Sequence, residues 1–431
     1  MITKANSTTQ ECLRRFAYYG ELDDSREDAP VIESLLDNDF YAFTMGQFIW
    51  RRWGQQQVSY AFTNRDVSVP LAKQVDDGML RSQLERMRQL RFTEVELAYL
   101  RSLGHFDEAY LDYLRDLELP YVDISQDGDQ LDIRYTGDWA AAVFWEAPIL
   151  ATLNELYYRV LMEREGRDPA AVIAEGERRL DAKVVLLKAH PGIRISEFGT
   201  RRRFSRRWQA HVLERLVDEV PKQVVGTSNV KLAMNYGLKP SGTMAHQLFM
   251  VRTAAKFSEG AEDPIAAAQA EVMDGWEEEY AERAPELLVA LPDTYGTETF
   301  LRNCSTEQAA RWHGFRIDSR EPVAGVQEIV DFYRERGLDP RGHLAVPSDG
   351  LVVPRMIAVE DEFTNTIPHV FGWGTNATND LGLDPLKIVI KPSRAVKLSD
   401  NEAKAMGPKR EIARYRRFTG PRHADFRPVT Y

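Results

Sequence analysis

Ile193-Arg194-Ile195-Ser196-Glu197-Phe198-Gly199-Thr200-Arg201 is a short apolar run that breaks into a polar, glycine-bearing turn. The same texture returns down the second half of the chain. Val224-Val225 ends at Gly226-Thr227-Ser228-Asn229, and Lys239-Pro240-Ser241 leads into Gly242-Thr243-Met244-Ala245-His246. Leu287-Leu288-Val289-Ala290 runs into Asp293-Thr294-Tyr295-Gly296-Thr297, and Phe315-Arg316-Ile317 into Asp318-Ser319. Leu344-Ala345-Val346 ends at Ser348-Asp349-Gly350, and Val370-Phe371 at Gly372-Trp373-Gly374-Thr375. Helical segments separate these runs. Strand, polar C-terminal turn and helix, repeated in this way, predict an α/β barrel. Its strand ends face one common site, so turns distant in sequence should converge in space. A doubly wound open sheet also collects strand ends along one edge and is the competing architecture.

Outward from this half, residues 1–30 form a polar, acidic lead-in without the apolar core of a secretory signal. Residues 35–50 predict an amphipathic helix capped by Asp37, Asn38 or Asp39. Residues 58–62 alternate as a strand does, 78–101 and 107–117 read as charged helices, 121–135 as strands, and 144–164 as a long apolar helix. Downstream, 386–390 is a strand, and the basic, aromatic tail around Arg414-Tyr415-Arg416-Arg417-Phe418 is expected to pack back on the N-terminal part.

The composition is that of an ordinary globular protein: 431 residues, 43% hydrophobic and 28% charged. That length suits one large domain with a satellite, or two to three domains. No apolar stretch approaches the roughly 18 residues a membrane helix needs. Two cysteines, Cys12 and Cys304, exclude a disulfide framework and point to a reducing compartment. The net charge of −11 disfavours nucleic acid as a partner but permits a local basic cluster for a phosphorylated small molecule.

His246 is the first candidate for covalent or proton-transfer chemistry, since imidazole is nucleophilic and basic near neutral pH. Gly242 and Thr243 ahead of it can bring a phosphate close; the bland alternative is a satisfied histidine at a helix start. Of Arg201, Arg202 and Arg203, one is expected to reach the site, one to form a structural ion pair and one to be solvated. Gly226-Thr227-Ser228-Asn229 is either an anion-binding helix start or simply an N-cap. Gly372-Trp373-Gly374-Thr375 allows close backbone approach to a phosphate, or is merely a tight turn. Asp293 and Asp318 can bind sugar hydroxyls, hold Mg²⁺ directly or through water, orient a histidine, or cap the next helix. Tyr41 reads as core or as an aromatic lid. No zinc pattern and no P-loop are present.

Taken in order, these segments resemble the nicotinate phosphoribosyltransferase family from Leu35 to about Gly407. The resemblance rests on Leu35-Leu36-Asp37-Asn38-Asp39-Phe40-Tyr41, Glu197-Phe198-Gly199-Thr200-Arg201-Arg202-Arg203-Phe204-Ser205, Gly226-Thr227-Ser228-Asn229, Gly242-Thr243-Met244-Ala245-His246, Asp293-Thr294-Tyr295-Gly296-Thr297, Phe371-Gly372-Trp373-Gly374-Thr375 and Val396-Lys397-Leu398-Ser399-Asp400. It implies an irregular α/β barrel beside an α+β sandwich domain built from both ends of the chain. The corresponding boundaries are a lead-in at 1–30, a sandwich domain at 31–145, a barrel at 146–378 and a C-terminal segment at 379–431 that packs on the sandwich. It implies transfer of phosphoribosyl from phosphoribosyl pyrophosphate to nicotinate, coupled to ATP hydrolysis through phosphorylated His246, in NAD salvage.

By the same resemblance Arg201 and Phe198 bind nicotinate, and Tyr41 stacks on the pyridine from a partner subunit. Asp293, Asp318 and Arg316 contact the ribosyl or pyridine portion, Thr243 lies on the substrate, and Gly350, Gly374 and Thr375 cradle the 5′-phosphate. Mg²⁺ arrives with phosphoribosyl pyrophosphate or ATP, without direct protein ligands. A cytoplasmic homodimer with shared sites is expected, with no nucleic-acid or membrane partner. The chain departs from the family's Asp-Ser-Gly-Asp-Pro, reading Asp318-Ser319-Arg320-Glu321-Pro322; an arginine stands where a glycine can supply unusual backbone angles. The alternatives are a nicotinamide- or quinolinate-using relative and a non-catalytic phospho-sugar-binding barrel.

Overall fold

The computed structural model describes residues 29–419. Most of the lead-in, Cys12 and the last residues of the tail lie outside the described residues.

The N-terminal half builds one antiparallel sheet from β1 (Gln57–Asn64), β2 (Val122–Asp127) and β3 (Gln130–Asp138). In β1, Val58, Tyr60 and Phe62 are buried on one face, the period-two pattern of a half-covered strand. β2 and β3 form a hairpin around Gly128, whose φ of 58° is one that glycine supplies without steric cost.

The second half supplies six short strands: β4 (Ile195–Glu197), β5 (Val224–Thr227), β6 (Val289–Ala290), β7 (Gly314–Ile317), β8 (Leu344–Pro347) and β9 (Phe371–Trp373). They pair in parallel as β5-β4-β9 and β6-β7-β8. A parallel bridge from Ala345 to His369 joins the second set to the first. All three residues of β4 and of β9 are buried, as parallel strands covered on both faces must be. The α/β class read from the strand ends is therefore present. Residues 239–241 contribute only a bridge from Thr227 to Pro240: Pro240 has no N–H to donate, and Gly242 turns the chain with φ 141°. Finally, β10 (Ile388–Pro392) returns to pair with β1, giving the order β10-β1-β3-β2.

Three local expectations are corrected. The first helix among the described residues runs from Tyr41 to Trp53 and has no side-chain cap. Asp37, Asn38 and Asp39 are held elsewhere: Asp37 by Arg203, Asn38 by the Phe144 carbonyl, Asp39 by Ser228. Those long-range bonds outweigh the local capping preference. The predicted helix at 78–101 is two, Asp77–Arg88 and Glu94–Ser102, because Thr93 and Glu96 form a reciprocal capping box that starts a new helix. In the tail, Tyr415 packs on Phe257 and Tyr295, and Phe418 on Phe257, so 409–418 covers the helix His246–Glu259 and the turn after β6 rather than the N-terminal sheet.

Candidate active site

His246 is the first residue of the helix His246–Glu259, whose preceding residue, Ala245, provides no side-chain cap. The Ala245 N–H instead points at the Met45 sulfur, 3.1 Å away. The ring is carried into the end of the parallel strands. Its Nε2 lies 2.7 Å from Asp293 Oδ1 and 2.8 Å from Lys397 Nζ, with Asp318 Oδ2 at 3.9 Å. Asp293 sits in the turn after β6 and is wholly buried. Its Oδ2 lies 3.0 Å from Lys397 Nζ and accepts a 3.0 Å bond from the Ser319 hydroxyl.

Burial holds the His246 imidazole down at about 4, and the Lys397 ammonium adds to this against the opposing pull of Asp293. The ring is therefore neutral near pH 7. Burial pushes Asp293 up, but His246 and Lys397 outweigh it and keep the carboxyl below its usual range. With a neutral ring, the charge that keeps Asp293 ionised is Lys397. One nitrogen cannot both donate to Asp293 and accept from Lys397. The assignment that satisfies all three groups has Nε2–H donating to Asp293 Oδ1 and Lys397 donating to Oδ2. Nδ1 then carries the lone pair, and it has no hydrogen-bond partner among the described residues.

Asp318, one residue past β7, pairs with Arg316 at 3.1 Å and lies 3.8 Å from Lys404. Burial pushes it up, but Arg316 and Lys404 hold it well below the usual range. Lys404 also donates to Asp349 at 2.5 Å and Ser319 at 3.3 Å. Ser319 and Ser399 are the two non-glycine residues with positive φ among the described residues, at 93° and 60°, and their hydroxyls meet at 3.0 Å. Such backbone costs about 1–3 kcal/mol per residue and persists only where the surroundings enforce it. The unusual angle of this loop thus falls on Ser319, not on Arg320, and Glu321 keeps a capping role by accepting from the Ala324 N–H.

A second cluster adjoins the first. Arg201, in the turn after β4, lies 3.3 Å from Asp39 and 3.6 Å from Glu146, with its guanidinium over the Tyr41 ring at 5.9 Å. Glu146 receives Lys391 at 2.7 Å and the Tyr41 hydroxyl at 3.1 Å. Within one chain, the Tyr41 ring lies beside Arg201. The Phe198 ring lies under Arg316 at 5.8 Å. A Cβ on Gly372 would stand 2.7 Å from that ring, so this glycine makes room for Phe198 rather than for a phosphate. Arg203 is the structural arginine, fully buried and bidentate to Asp37 at 2.7 and 2.8 Å. Glu197 is pushed up to about 7 by burial, against bonds from Thr227 and Gln209.

Other residues are placed as follows. Asn229 caps the helix Val230–Tyr236 and Ser228 donates to Asp39, so that turn is an N-cap. The Thr243 hydroxyl donates to the Val289 carbonyl of β6 at 2.9 Å, which makes it a strut. Gly350 follows β8, and Gly374 with Thr375 follows β9. His369, His211 and His343 lie on Glu360, Glu177 and Tyr333 respectively.

Lys397, Lys404, Asp349, Glu146 and Lys391 were missed as site residues. Lys397 carried a legible signal: an isolated charge inside Ala395-Val396-Lys397-Leu398 reads as a buried, paired lysine. His246, Asp293 and Asp318 place ligating atoms within 4.8 Å of one another. Lys397 already stands 2.8–3.0 Å from two of them, and an imidazole with ammonium neighbours is not the oxygen shell Mg²⁺ requires.

Lysines and arginines, each beside a carboxylate, thus gather next to the parallel strand ends of an α/β fold. The nicotinate phosphoribosyltransferase family model matches residues 193–411, and the model of that family's N-terminal domain matches 36–154. The chain is similar to a nicotinate phosphoribosyltransferase crystal structure from Porphyromonas gingivalis, with 31% identity and a TM-score of 0.79 over 90% of this chain and 99% of that one. It is also similar to one from Vibrio cholerae, with 28% identity and a TM-score of 0.79 over 90% and 94%. The chain belongs to the nicotinate phosphoribosyltransferase family, and nicotinate phosphoribosyl transfer is the function these matches support. No helix among the described residues is long and apolar enough to cross a membrane.

Proposed function

We propose that the chain converts nicotinate and phosphoribosyl pyrophosphate to nicotinate mononucleotide and pyrophosphate, in NAD salvage, and couples this to ATP through phosphorylated His246. The observation that carries the coupling is a neutral imidazole backed by Asp293 and Lys397, with Nδ1 unengaged. The Nδ1 lone pair attacks the γ-phosphorus of ATP, the N–P bond forms, the bond to the bridging oxygen breaks, and ADP leaves. Asp293 holds the ring and stabilises the charge it acquires.

The transfer itself is substitution at the anomeric carbon. The pyridine nitrogen is already unprotonated near neutral pH, so no general base is required. Work falls on positioning and on stabilising charge in an oxocarbenium-like transition state. Arg201 is assigned the nicotinate carboxylate, Phe198 and Tyr41 the faces of the ring, and Arg316 with Asp318 the ribosyl portion. Gly350, Gly374 and Thr375 are assigned the 5′-phosphate. Asp318 is the residue that would hold Mg²⁺ bound with the diphosphate, and the ion would supply charge to neutralise the leaving group. Phosphorylated His246 tightens the complex that precedes transfer, so ATP energy becomes differential binding.

The parallel strands are read as a closed barrel, supported by the Thr243 bond to β6 from a segment bridged to β5. A domain shared by the two chain ends is supported by the β1–β10 pairing. A homodimer belongs to the proposal and is checked by sedimentation; so does a cytoplasmic location, on the cysteine-poor composition.

Radiolabelled ATP should yield an acid-labile, alkali-stable phosphoprotein, and His246→Asn should abolish the label; label persisting in that variant refutes the assignment. Pyrophosphate release with nicotinate, and not with nicotinamide or quinolinate, separates this reading from its relatives.

A further inference from the structure

We propose that Arg320 is a positioning residue: through Asp400 it fixes the segment that carries Lys397, and so sets that ammonium against His246 and Asp293. The inference rests on the reading of His246 as the phosphate acceptor.

The segment from Lys397 to Asn401 crosses the turn after β6. The Leu398 and Ser399 N–H groups both donate to the Thr294 carbonyl, at 2.9 and 3.2 Å. That carbonyl belongs to the residue next to Asp293. Asp400 then closes the crossing. Its Oδ1 accepts from the Thr297 N–H at 2.8 Å and its Oδ2 from the Thr297 hydroxyl at 2.6 Å. Arg320 Nε lies 3.2 Å from Asp400 Oδ2 and 3.1 Å from Glu328 Oε2. Glu328 belongs to the helix Pro322–Glu335, so Arg320 ties the segment to that helix as well.

The crossing needs a restraint. Ser399 is held at φ 60° and bonded to Ser319, itself at 93°, which in turn bonds Asp293. Two unfavourable backbone conformations sit face to face across the reacting groups. Without the guanidinium, Asp400 is a buried carboxyl facing the like charge of Asp293, with Thr297 as its remaining donor. Burial and Asp293 already raise it; Arg320 is the larger influence opposing them, ahead of the bonds from Thr297. A residue without the positive charge, such as glycine or glutamine, leaves Asp400 uncompensated and the crossing free to relax, and Lys397 moves with it.

The test is a double-mutant cycle on the full chain with Arg320→Gln, Lys397→Ala and the pair, with Arg320→Lys as the conservative variant. Arg320→Gln should lower kcat roughly 10- to 100-fold, the scale of a small misplacement of a reacting group. The KM for nicotinate should stay within about twofold, because ground-state contacts to the ring are not touched. Arg320→Lys should keep most of the rate. In the Lys397→Ala background, Arg320→Gln should cost nothing more. Hydrogen exchange at the Leu398 and Ser399 amides should speed up in Arg320→Gln and not in Lys397→Ala. An Arg320→Gln effect that multiplies undiminished with Lys397→Ala, or wild-type amide protection in Arg320→Gln, overturns the proposal. Failure of the underlying reading is distinct: the unmodified enzyme would itself show no phosphohistidine.

Discussion

Replacing Lys397 with methionine should raise the proton affinity of His246 and give the enzyme a pH dependence the unmodified protein lacks. The ammonium lies 2.8 Å from Nε2. At an effective dielectric of about 20, two unit charges at that separation repel by about 6 kcal/mol, or roughly four pKa units. Water entering the vacated space and spreading of charge over the ring reduce this, and half of it is still about two units. Asp293, 2.7 Å away, then favours the imidazolium with burial alone opposing it. His246 should therefore move from about 4 to about 6 or above in the variant, with burial still lowering it and Asp293 and Asp318 raising it. Nitrogen-15 NMR of the histidine ring over pH 4–8 reads this directly. The kinetic counterpart is the rate of labelling by ATP. In the unmodified enzyme the contribution of His246 should be flat from pH 8 down to about 5 and fall through about 4. In Lys397→Met it should fall near neutrality, because the imidazolium has no lone pair to attack phosphorus. An unchanged or lower His246 pKa in the variant would falsify the electrostatic account.

Asp37→Asn should destabilise the fold by about 3–5 kcal/mol, because it strands the buried Arg203 guanidinium; urea midpoints measure it. Arg203 outweighs burial and keeps Asp37 below its ordinary value of 3.8, so the pair's contribution should be complete above that pH and fade below it. Gly372→Ala puts a methyl 2.7 Å from the Phe198 ring and 2.9 Å from Ser348 Cβ. Displacing the ring should raise the KM for nicotinate roughly tenfold in steady-state assays. Arg201→Ala should raise the KM for nicotinate roughly 10- to 100-fold, the worth of a charge-assisted bond, and far more than for nicotinamide; equal effects would remove its carboxylate role.

Much of this was legible because strand ends announce themselves. Apolar runs that stop at Asp293, Asp318 and Glu197 are local signals, and topology then brings the first two to His246 without further information. What was hidden is non-local. Asp37-Asn38-Asp39 looks like a set of helix caps, and only Arg203, Phe144 and Ser228, all distant in sequence, show otherwise. Tyr41 beside Arg201 and Glu146 beside Lys391 depend on the same long-range meetings. Lys397 and Lys404 follow no strand end of the repeating pattern, so a search along strand ends passes over them. The Asp318-Ser319-Arg320 loop drew notice as a missing glycine, yet the positive φ it suggested belongs to the neighbouring serine.

The pairing of Tyr60 with Pro392 has a consequence for biosynthesis. The edge of β1 stays uncovered until β10 emerges, and the strand ends lack Lys397 and Lys404 until shortly after. A chain that stops before residue 397 therefore carries His246 and Asp293 without the ammonium that keeps Asp293 ionised. In such a nascent chain, before β10 has emerged, the edge of β1 that β10 covers is open. Contacts this distant along the chain also close late and slowly. A chain stopped before residue 388 leaves that edge of β1 free for sheet-edge association.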